Sequence, residues 1–347
     1  MPRFSLLMLL YFRIMKQPSV YVLVINWNGM EHVDACFRSL LDSSYHNVRF
    51  ILLDNGSNDA SDTYVEEQFG FDSRVKIWRL GANFGWGGGN NAGLTRAIEE
   101  GADYVLLLNN DTWTAPEALK ELVRLAEANP STGALAPKML LYDNPGIINS
   151  LGVEVSYIGS AWDSGIGEPD TPERQTSKPV PGVCGGAMFL RVSALRDVGM
   201  LDPKFGIYYD DVDLCFRMWQ GGYACLSCPT AVVHHKFSAT LGKGGRKKRA
   251  LAERNRLRFL FLNFPFRYLV CFFPYLILAE LRIAGNALRS GERWVIGIQF
   301  AAWLHLLKST GEIMVLRRRR MKAEYVALFP ELITRERMFC PEISLPR

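Results

Sequence analysis

Short apolar runs alternate with helix-like stretches near the start of the chain. The runs are rich in β-branched residues and leucine, and each is bounded by Asn, Asp or Gly. They cover residues 20–25, 50–53, 75–80 and 104–108. The helix-like stretches cover residues 30–42, 59–69, 90–100 and 115–129, and Thr114 is the expected N-cap of the last. Runs of this kind are typical of parallel strands buried on both faces. The alternation predicts an α/β sheet whose ligands bind at the carboxyl ends of the strands.

The later part of the chain contains fewer regular patterns. Residues 165–182 are rich in Pro and Gly and predict a loop, and residues 187–191 predict a strand. The acidic segment 210–213 begins a helix that extends to about Gln220, and a strand follows near residues 230–233. Of the 347 residues, 48% are hydrophobic and 22% are charged, which excludes a disordered chain. The length allows one large domain with an appendage, or two domains.

Polar side chains follow three of the four predicted strands. The segments are Asn-Trp-Asn-Gly at 26–29, Asp-Asn-Gly-Ser-Asn-Asp at 54–59 and Asn-Asn-Asp-Thr at 109–112. One such segment could be turn chemistry alone, but three in succession deliver carboxylates and amides to one edge of the sheet. Asp111 is placed there to hold a hard divalent cation, with an ordinary turn Asp as the alternative. These strand ends predict a ligand site.

A glycine-rich segment, GANFGWGGGNNAG at residues 81–93, precedes the third helix-like stretch. Glycines let a backbone approach a phosphate closely, and a helix N-terminus favours anions. The GxGxxG of a dinucleotide-binding fold would follow the first strand instead, and the chain has no GxxxxGK[ST] motif. A Rossmann dehydrogenase and a P-loop enzyme are both disfavoured.

Three carboxylates and a pair of histidines are the remaining candidates for chemistry. Asp210, Asp211 and Asp213 lie in the first turn of a predicted helix, where they could serve as caps or complement the helix dipole. Adjacent carboxylates can also raise one another's pKa and supply a general base. His234 and His235 end the next strand, where a histidine facing acidic groups can complete a metal site.

The seven cysteines are scattered, which argues against a disulfide framework and for a reducing compartment. Cys225 and Cys228 form a CxxC pair, but zinc would need a second pair at matching spacing. Ordinary strand and turn positions therefore explain these two cysteines better than a zinc or redox role.

Charge is distributed unevenly along the chain. Residues 1–235 carry 18 basic and 27 acidic side chains, and residues 236–347 carry 22 basic and 8 acidic ones. No apolar stretch reaches the roughly 18–20 residues that span a bilayer. Apolar stretches at 268–279 and 294–307, next to the basic cluster 317–322, suit helices that lie on an anionic membrane. A buried helical subdomain is the alternative, and no nucleic-acid module accompanies the charge.

The N-terminal residues 4–12 are uncharged and lie between two arginines. They are similar to the core of a signal peptide, but no small-residue cleavage site follows. A short interfacial anchor or an over-extended start site explains them equally well.

Eight motifs together resemble the family 2 glycosyltransferases of the GT-A fold, especially the bacterial rhamnosyltransferase-like branch. They are INWNG (25–29), LDNGSND (53–59), NFGWGGGNNAG (83–93), LLNNDT (107–112), VCGGAMFLR (183–191), GMLDPKFGIYYDDVDLCFRMWQGGY (199–223), CPTAVVHHKFSAT (228–240) and ERNRLRF (253–259). Each motif is weak alone, but all eight occur in the family's order. The resemblance covers about two thirds of the chain, residues 20–263.

The resemblance implies a GT-A nucleotide-diphospho-sugar transferase fold, an α/β architecture with a mixed, mostly parallel sheet flanked by helices. It implies an N-terminal extension at 1–19, the catalytic domain at 20–263 and a basic, apolar, helical membrane-associated extension at 264–347. The implied reaction moves a sugar from a nucleoside diphosphate sugar to an acceptor hydroxyl with inversion. The branch suggests L-rhamnose from dTDP-rhamnose, although galactofuranose, galactose or mannose transfer would look similar. The acceptor would be a cell-surface polysaccharide or a lipid-linked glycan.

The resemblance also implies roles for individual residues. Asp211 matches the catalytic base, with Asp210 where the family usually has Glu. Asp111 and His235 match ligands of a divalent cation, Mg²⁺ or Mn²⁺, with Asn109 where the first Asp of a DxD motif often stands. Gly185, Gly186 and Asp213 would lie on the acceptor side. The donor-binding residues would be Asn26, Trp27, Asp54, Asn55, Asn83, Asn90, Asn91, Asn110 and Asp111.

Two other classes of function are weaker. A nucleotidyltransferase would carry a Gly-rich loop with Arg or Lys directly after the first strand, and INWNG has no basic residue. A non-catalytic membrane scaffold would not need Asp111, Asp211 and His235 together. We therefore expect an enzyme at the cytoplasmic face of the cell membrane, peripheral or monotopic, with spanning by residues 264–307 left open. An anionic lipid surface and no nucleic acid would be among its partners. The oligomeric state stays open.

Overall fold

A nine-stranded mixed sheet forms the centre of the molecule. The computed structural model describes residues 17–236, 245–334 and 339. The strand order is β3-β2-β1-β4-β10-β6-β11-β5, with β7 paired to β6, and β8 and β9 form a separate hairpin. The strands are β1 (Val20–Asn26), β2 (Val48–Asp54), β3 (Val75–Arg79), β4 (Tyr104–Asn109), β5 (Thr112–Thr114), β6 (Thr132–Leu141), β7 (Ile148–Ser150), β8 (Val153–Val155), β9 (Ala161–Asp163), β10 (Ala187–Arg191) and β11 (Ala224–His235).

Helices cover both faces of this sheet and continue beyond it. They are α1 (Met30–Leu41), α2 (Ser61–Phe69), α3 (Gly85–Glu99), α4 (Ala118–Ala128), α5 (Val192–Val198), α6 (Asp210–Gly221), α7 (Arg246–Asn263), α8 (Phe266–Arg289), α9 (Trp294–Arg320) and α10 (Ala323–Leu328). Short 3₁₀ turns lie at Pro172–Gln175 and Phe329–Leu332. The predicted α/β architecture is confirmed.

The first four strands are parallel neighbours, as their apolar sequences predict. β1 lies between β2 and β4, and the register places Asn26 beside Asp54 and Ile25 beside Asn109. Successive side chains of β1 enter different cores, because Tyr21 and Leu23 pack on one face and Val22 and Val24 on the other. The three polar strand ends therefore meet at one edge of the sheet.

The second half of the sheet contains the antiparallel strands. β10 inserts antiparallel between β4 and β6, and β5 and β7 run antiparallel to their neighbours. Six strands (β1, β2, β3, β4, β6 and β11) run in the same direction, so the mixed, mostly parallel sheet is confirmed. The sequence analysis predicted no strand between residues 129 and 165, where the structure has four.

Several predicted boundaries need correction. Helix α3 begins at Gly85 rather than residue 90, so the glycine run lies inside the helix. Thr114 is the last residue of β5, and the N-cap of α4 is Glu117, which makes no side-chain capping bond. Strand β11 begins at Ala224 rather than near residue 230 and carries Cys225 and Cys228 as buried, free thiols.

The helices after Asn263 pack into the same core as the sheet. Buried residues of α8, α9 and the C-terminal turn join the cluster that contains the inward side chains of β10 and α6. After α9 the chain comes back to the end of α7, where the hydroxyl of Tyr325 donates to the carbonyl of Asn263 at 2.7 Å. Phe329 packs edge-to-face against Phe264, with ring centroids 4.7 Å apart.

Helix α8 is longer and more apolar than the uncharged stretch at 268–279 suggested. It has 24 residues and an 18-residue window of mean hydropathy 1.5, of which 11% is buried, so by length and composition it could cross a membrane. The uncharged run at 268–279 is too short to span a bilayer by itself, but the helix continues past Glu280, so the question of spanning or lying on the membrane, which the sequence leaves open, stays open. Residues 1–16, with the predicted N-terminal apolar segment, lie outside the described residues.

Candidate active site

Asn26, at the end of β1, is hydrogen-bonded to the segments that follow β2 and β4. Its Nδ2 donates to the hydroxyl of Ser61 at 2.8 Å, and its Oδ1 accepts from Nδ2 of Asn110 at 2.7 Å. The side chain is completely buried. Asn26 therefore fixes the loops that carry the site, and the structure does not place its side chain in a donor pocket. Trp27, which follows it, is 57% exposed.

A second amide network shapes the loop before α3. Nδ2 of Asn55 donates to Oδ1 of Asn83 at 3.2 Å and to the carbonyl of Gly85 at 3.1 Å. Its Oδ1 accepts from the backbone N–H of Phe84 at 2.9 Å. Asp54 is buried and accepts from the N–H of Ser57 at 3.3 Å. Asn83 is exposed and can reach a ligand, whereas Asn55 and Asp54 hold the loops on either side.

The glycines of α3 allow close packing. A Cβ on Gly89 would lie 2.9 Å from Ile25, and one on Gly93 would lie 2.8 Å from Leu53. A Cβ on Gly87 would lie 3.0 Å from Oδ2 of Asp210. Small residues thus let α3 rest directly on the sheet and on the start of α6. The phosphate-approach interpretation of this run is not needed to explain these three glycines.

The two asparagines of α3 differ in their surroundings. Asn91 exchanges two hydrogen bonds with the backbone of Leu201, at 2.9 and 3.1 Å, so it fixes that loop rather than facing a ligand. Asn90 donates to the carbonyl of Trp86, and its buried Oδ1 receives no hydrogen bond from the residues that the structure describes.

A cavity of about 340 Å³ lies where β4, β9, β11 and α6 meet. Its polar lining includes Asn109, Asp163, Asp210, Asp211 and His235. The backbone of Gly185 and Gly186 and the rings of Trp86, Trp162, Tyr208 and Tyr209 complete it. The cavity therefore brings together residues that are up to about 150 positions apart in the sequence.

Asp211 carries its carboxylate into this cavity. Its Oδ2 accepts from the N–H of Gly185 at 2.9 Å, and its Oδ1 accepts from the N–H of Val212 at 2.8 Å. Burial raises the pKa of Asp211 to about 6, although the two amide hydrogen bonds oppose the rise. Each oxygen keeps a second lone pair, so the group can still accept a proton.

The other two carboxylates of this helical turn have different surroundings. Asp210 is buried beside Gly87 of α3, and its pKa is raised first by burial and then by repulsion from Asp211. Asp213 is completely buried and accepts from Arg217 at 2.8 Å and from Arg320 and Asn263 at 2.9 Å. Asp213 does not line the cavity, which corrects the predicted acceptor-side role of this residue.

Asp111 and His235 lie next to each other at the edge of the sheet. Nε2 of His235 lies 3.3 Å from Oδ1 of Asp111, and Nδ1 of His235 lies 2.6 Å from Oδ1 of Asn149. The amide oxygen of Asn149 can only accept, so Nδ1 carries the ring proton in the neutral histidine and Nε2 directs its lone pair at Asp111. The buried Oδ1 of Asp111 accepts no hydrogen bond from any described residue.

Oδ1 of Asp111 and Nε2 of His235 face each other, and both atoms are ligands that suit a divalent cation. Asn149 would hold the histidine ring in place, as the hydrogen-bond partners of metal-binding histidines commonly do. Among the described residues, no three His, Cys, Asp or Glu side chains gather closely enough to hold a metal together. A cation at Asp111 and His235 would thus need further oxygen ligands from a substrate or from water.

Two consecutive tyrosines before α6 adopt a rare backbone conformation. Tyr208 and Tyr209 have φ of 70° and 68°, a region that costs a non-glycine residue about 1–3 kcal/mol. Nδ2 of Asn255 lies 2.8–2.9 Å from the carbonyls of Phe205, Ile207 and Tyr208 and holds this turn. Strain of this kind collects at functional sites, and here it aims Asp211 into the cavity.

The sequence did not indicate Asp163 and Trp86 as cavity residues, or Asn255 as the residue that holds the turn before α6. Trp86 donates through Nε1 to Oδ1 of Asn109 at 3.1 Å, and a Cβ on Gly185 would lie 2.9 Å from its ring. The motifs that contain Trp86 and Asn255 were noted, which was a usable signal. Asp163 follows an unpatterned segment, and nothing in its neighbourhood indicated a site.

Comparisons with known proteins agree with this architecture. An N-acetylglucosaminyl-diphospho-decaprenol L-rhamnosyltransferase of Mycobacterium tuberculosis is 26% identical over 262 residues, which cover 70% of this chain and 83% of the relative. GalNAc-T7, crystallised with UDP, GalNAc and Mn²⁺, has a TM-score of 0.58 at 16% identity, over 73% of this chain and 49% of its own. The mannosyltransferase PcManGT from Pyrobaculum calidifontis, in complex with GDP-Man and Mn²⁺, has a TM-score of 0.50 at 16% identity, over 91% and 87%.

The structural likenesses show the GT-A fold, and the relative supports the rhamnosyltransferase-like resemblance. Residues 21–199, more than half of the chain, match the family model Glycosyl transferase family 2. Asp211 and His235 lie after the matched residues, but they line the same cavity as Asn109, the last residue of β4. This protein is a glycosyltransferase and belongs to glycosyl transferase family 2.

Proposed function

We propose that this enzyme transfers a sugar from a nucleoside diphosphate sugar to an acceptor hydroxyl, with inversion at the anomeric carbon. One observation carries the proposal: the carboxylate of Asp211 is held by the N–H of Gly185 inside a cavity that also contains His235. A single positioned base that activates the acceptor is what direct displacement requires.

Asp211 would take the proton of the acceptor hydroxyl as that hydroxyl attacks the sugar. The hydrogen bonds from Gly185 and Val212 fix the plane of the carboxylate and leave one lone pair on each oxygen. A pKa of about 6 makes Asp211 a stronger base than an exposed aspartate, yet it is mostly ionised at neutral pH. Burial thus tunes the group toward its working pH.

The donor would bind at the carboxyl ends of β1, β2 and β4. Exposed Asn83 and Trp27 and half-buried Asn110 would contact it, on loops fixed by Asn26, Asp54 and Asn55. Asn90, whose buried oxygen lacks a donor among the described residues, would face the ribose-diphosphate part. Asp111 and His235 would hold Mg²⁺ or Mn²⁺, which neutralises charge on the leaving diphosphate when bound.

The Mycobacterium relative suggests the substrates by its name. We propose L-rhamnose from dTDP-rhamnose as the donor sugar, and an N-acetylglucosaminyl diphosphate on a lipid as the acceptor. Both GT-A structural neighbours contain Mn²⁺, which supports the divalent cation. Acceptors of this class stay in the membrane, so the enzyme would work at its cytoplasmic face.

The apolar surface of α8 and α9 would hold the enzyme at the membrane. This surface would be the membrane-facing part of the extension at 264–347. Phe266 is 74% and Leu281 65% exposed, and further large apolar side chains surround them. Two of the expected basic residues are engaged internally, because Arg317 donates to the carbonyl of Phe261 and Arg320 to Asp213. Apolar burial would therefore dominate this membrane contact, with Arg318 and Arg319 adding charge attraction.

The membrane contact is best tested by substitution, since deleting α8 would remove part of the core. Phe266→Asp with Leu281→Asp should release the protein from vesicles of anionic phospholipid in a flotation assay. Unchanged flotation would place the membrane contact elsewhere.

The reaction is tested with purified enzyme, Mg²⁺ or Mn²⁺, and a panel of UDP-, dTDP- and GDP-sugars. We expect turnover with one donor, measured as nucleoside diphosphate release. Asp211→Asn should lower transfer by roughly 10²–10⁴-fold while donor affinity stays near that of the wild type. Asp143→Asn, at an exposed carboxylate that does not line the cavity, is the matched control. Full activity in Asp211→Asn would reject Asp211 as the base.

A further inference from the structure

The cavity lining includes a carboxylate outside helix α6 that has no part in the mechanism above. Asp163, at the end of β9, lines the cavity together with Asp211 and Trp86. Its oxygen Oδ1 is buried and receives no hydrogen bond from any residue in the described ranges. Burial raises the pKa of Asp163, and Ser150, Cys184 and His235 offset the rise only in part. A buried oxygen left in this state destabilises the fold, so a role in ligand binding explains it better than a structural role.

The hairpin of β8 and β9 separates the cavity from the apolar helix α8. Tyr157, in the turn of this hairpin, lies against Phe272 and Tyr275 of α8, with both ring centroids 5.5 Å away. The carbonyl of Ile158 in the same turn accepts from Arg256 of α7 at 3.0 Å. The hairpin thus has one side against the helix proposed to meet the membrane and the other side in the cavity.

The cavity side of the hairpin also adjoins the segment that holds the base. Val153 of β8 exchanges backbone hydrogen bonds with Gly182 at 2.8 and 3.2 Å, three residues before Gly185. A group bound at Asp163 would therefore lie close to the point where Asp211 meets its substrate. The donor loops at the ends of β1 and β2 do not line this cavity.

We propose that Asp163 binds a hydroxyl group of the acceptor sugar, and that the β8–β9 hairpin is the wall that recognises the acceptor. This inference rests on the proposed function and names the residue that selects its acceptor. A sugar hydroxyl both donates and accepts, so it can satisfy Asp163 in either protonation state. The ring of Trp86 offers an apolar surface of the kind that packs on a sugar face.

The test separates the two substrates of the enzyme. Asp163→Ala and Asp163→Asn are compared with the wild type in two reactions: hydrolysis of the donor by water, and transfer to N-acetylglucosaminyl diphosphate carrying a farnesyl chain. Glu154→Gln is the matched control, since Glu154 lies on β8, accepts from Ser164 at 2.8 Å and does not line the cavity. Thermal unfolding of each variant reports whether the hairpin still folds.

For Asp163→Ala we expect the KM for the acceptor to rise roughly 10- to 100-fold, the value of a hydrogen bond to a charged group. The rate of donor hydrolysis by Asp163→Ala should stay within about twofold of the wild-type rate. The acceptor KM of Asp163→Asn should lie between those of the wild type and Asp163→Ala, and the acceptor KM of Glu154→Gln should match that of the wild type.

An unchanged acceptor KM in Asp163→Ala would overturn the inference and assign the oxygen to an ordered water. Equal losses of hydrolysis and transfer would also overturn it, because Asp163 would then support the whole site. If the wild type hydrolyses the donor but transfers to no lipid-linked sugar, the acceptor class and the inference both fail. If it does neither, the proposed function itself fails.

Discussion

Asp213 joins helix α6 to the C-terminal helices through charged hydrogen bonds. It is two positions after Asp211 on α6, yet it is completely buried among Arg217, Arg320 and Asn263. Arg320 is the last residue of α9, 107 positions away. We therefore expect Asp213→Asn to loosen the contact between α6 and α9.

The magnitude follows from the charges that the substitution leaves unpaired. Burial alone would raise the pKa of Asp213, but Arg320, Arg217 and Asn263 lower it from 3.8 to about 2. Because the folded pKa is depressed, the ionised group contributes about 2 kcal/mol of stability above pH 4. That contribution falls as the pH drops from 4 toward 2. Asp213→Asn also leaves the buried guanidinium of Arg217 and the partly buried guanidinium of Arg320 with an uncharged partner, so the total cost is about 3–5 kcal/mol at neutral pH.

The assay is urea unfolding in mild detergent, followed by tryptophan fluorescence, at pH 7 and pH 3. Arg320→Met should cost less than Asp213→Asn, about 1–3 kcal/mol, because Asp213 keeps Arg217 and Asn263. Arg319→Met, at an exposed arginine of the same turn, is the control and should unfold like the wild type. The difference between wild type and Asp213→Asn should shrink at pH 3. Equal unfolding midpoints for all four proteins would mean that Asp213 does not stabilise the contact between α6 and α9.

Three further predictions concern activity. Since the pKa of Asp211 is about 6, transfer rates should fall about tenfold per pH unit below 6 and level off above it; a flat profile between pH 4.5 and 8 would contradict this. Asn149→Ala removes the acceptor of His235 Nδ1 and should raise the Mn²⁺ concentration for half-maximal activity about 10- to 100-fold, and an unchanged requirement would argue against a cation there. Gly185→Ala places a Cβ 2.9 Å from Trp86 and 3.2 Å from Oδ2 of Asp211, so kcat should drop in steady-state assays; a wild-type kcat would show that the contact yields freely.

The part of the fold that sequence predicts well is the part specified by local patterns. β1, β2 and β4 are buried over nearly their whole length, so each of these strands is marked by its own apolar run and its own polar end, whereas β3 at the sheet edge exposes Lys76 and Arg79. Parallel pairing then brings Asn26, Asp54 and Asn109 to one edge without further information. For the same reason, the sheet-edge location of Asp111 could be predicted.

The contacts that complete the site could not be predicted in this way, because they join distant segments. Asn255 supports a turn 47–50 positions earlier, and Asp163 reaches the cavity on a hairpin of three-residue strands. Strands this short carry no usable alternation of polar and apolar residues. Their position is set by tertiary packing against α8, which leaves no local signal.

The acidic turn at 210–213 shows what helix geometry does to a cluster in the sequence. Side chains on an α-helix are rotated by about 100° per residue, so Asp210, Asp211 and Asp213 must point in three directions. The structure has Asp210 against Gly87, Asp211 in the cavity and Asp213 against two arginines. Three adjacent carboxylates therefore serve three separate interactions instead of one shared site. Repulsion from Asp211, and less strongly from Asp213, still raises the pKa of Asp210, whereas the countercharges Arg320 and Arg217 lower the pKa of Asp213. Of these three carboxylates, only that of Asp211 accepts from the N–H of Gly185 in the cavity lining, and it is therefore the one that we propose as the base.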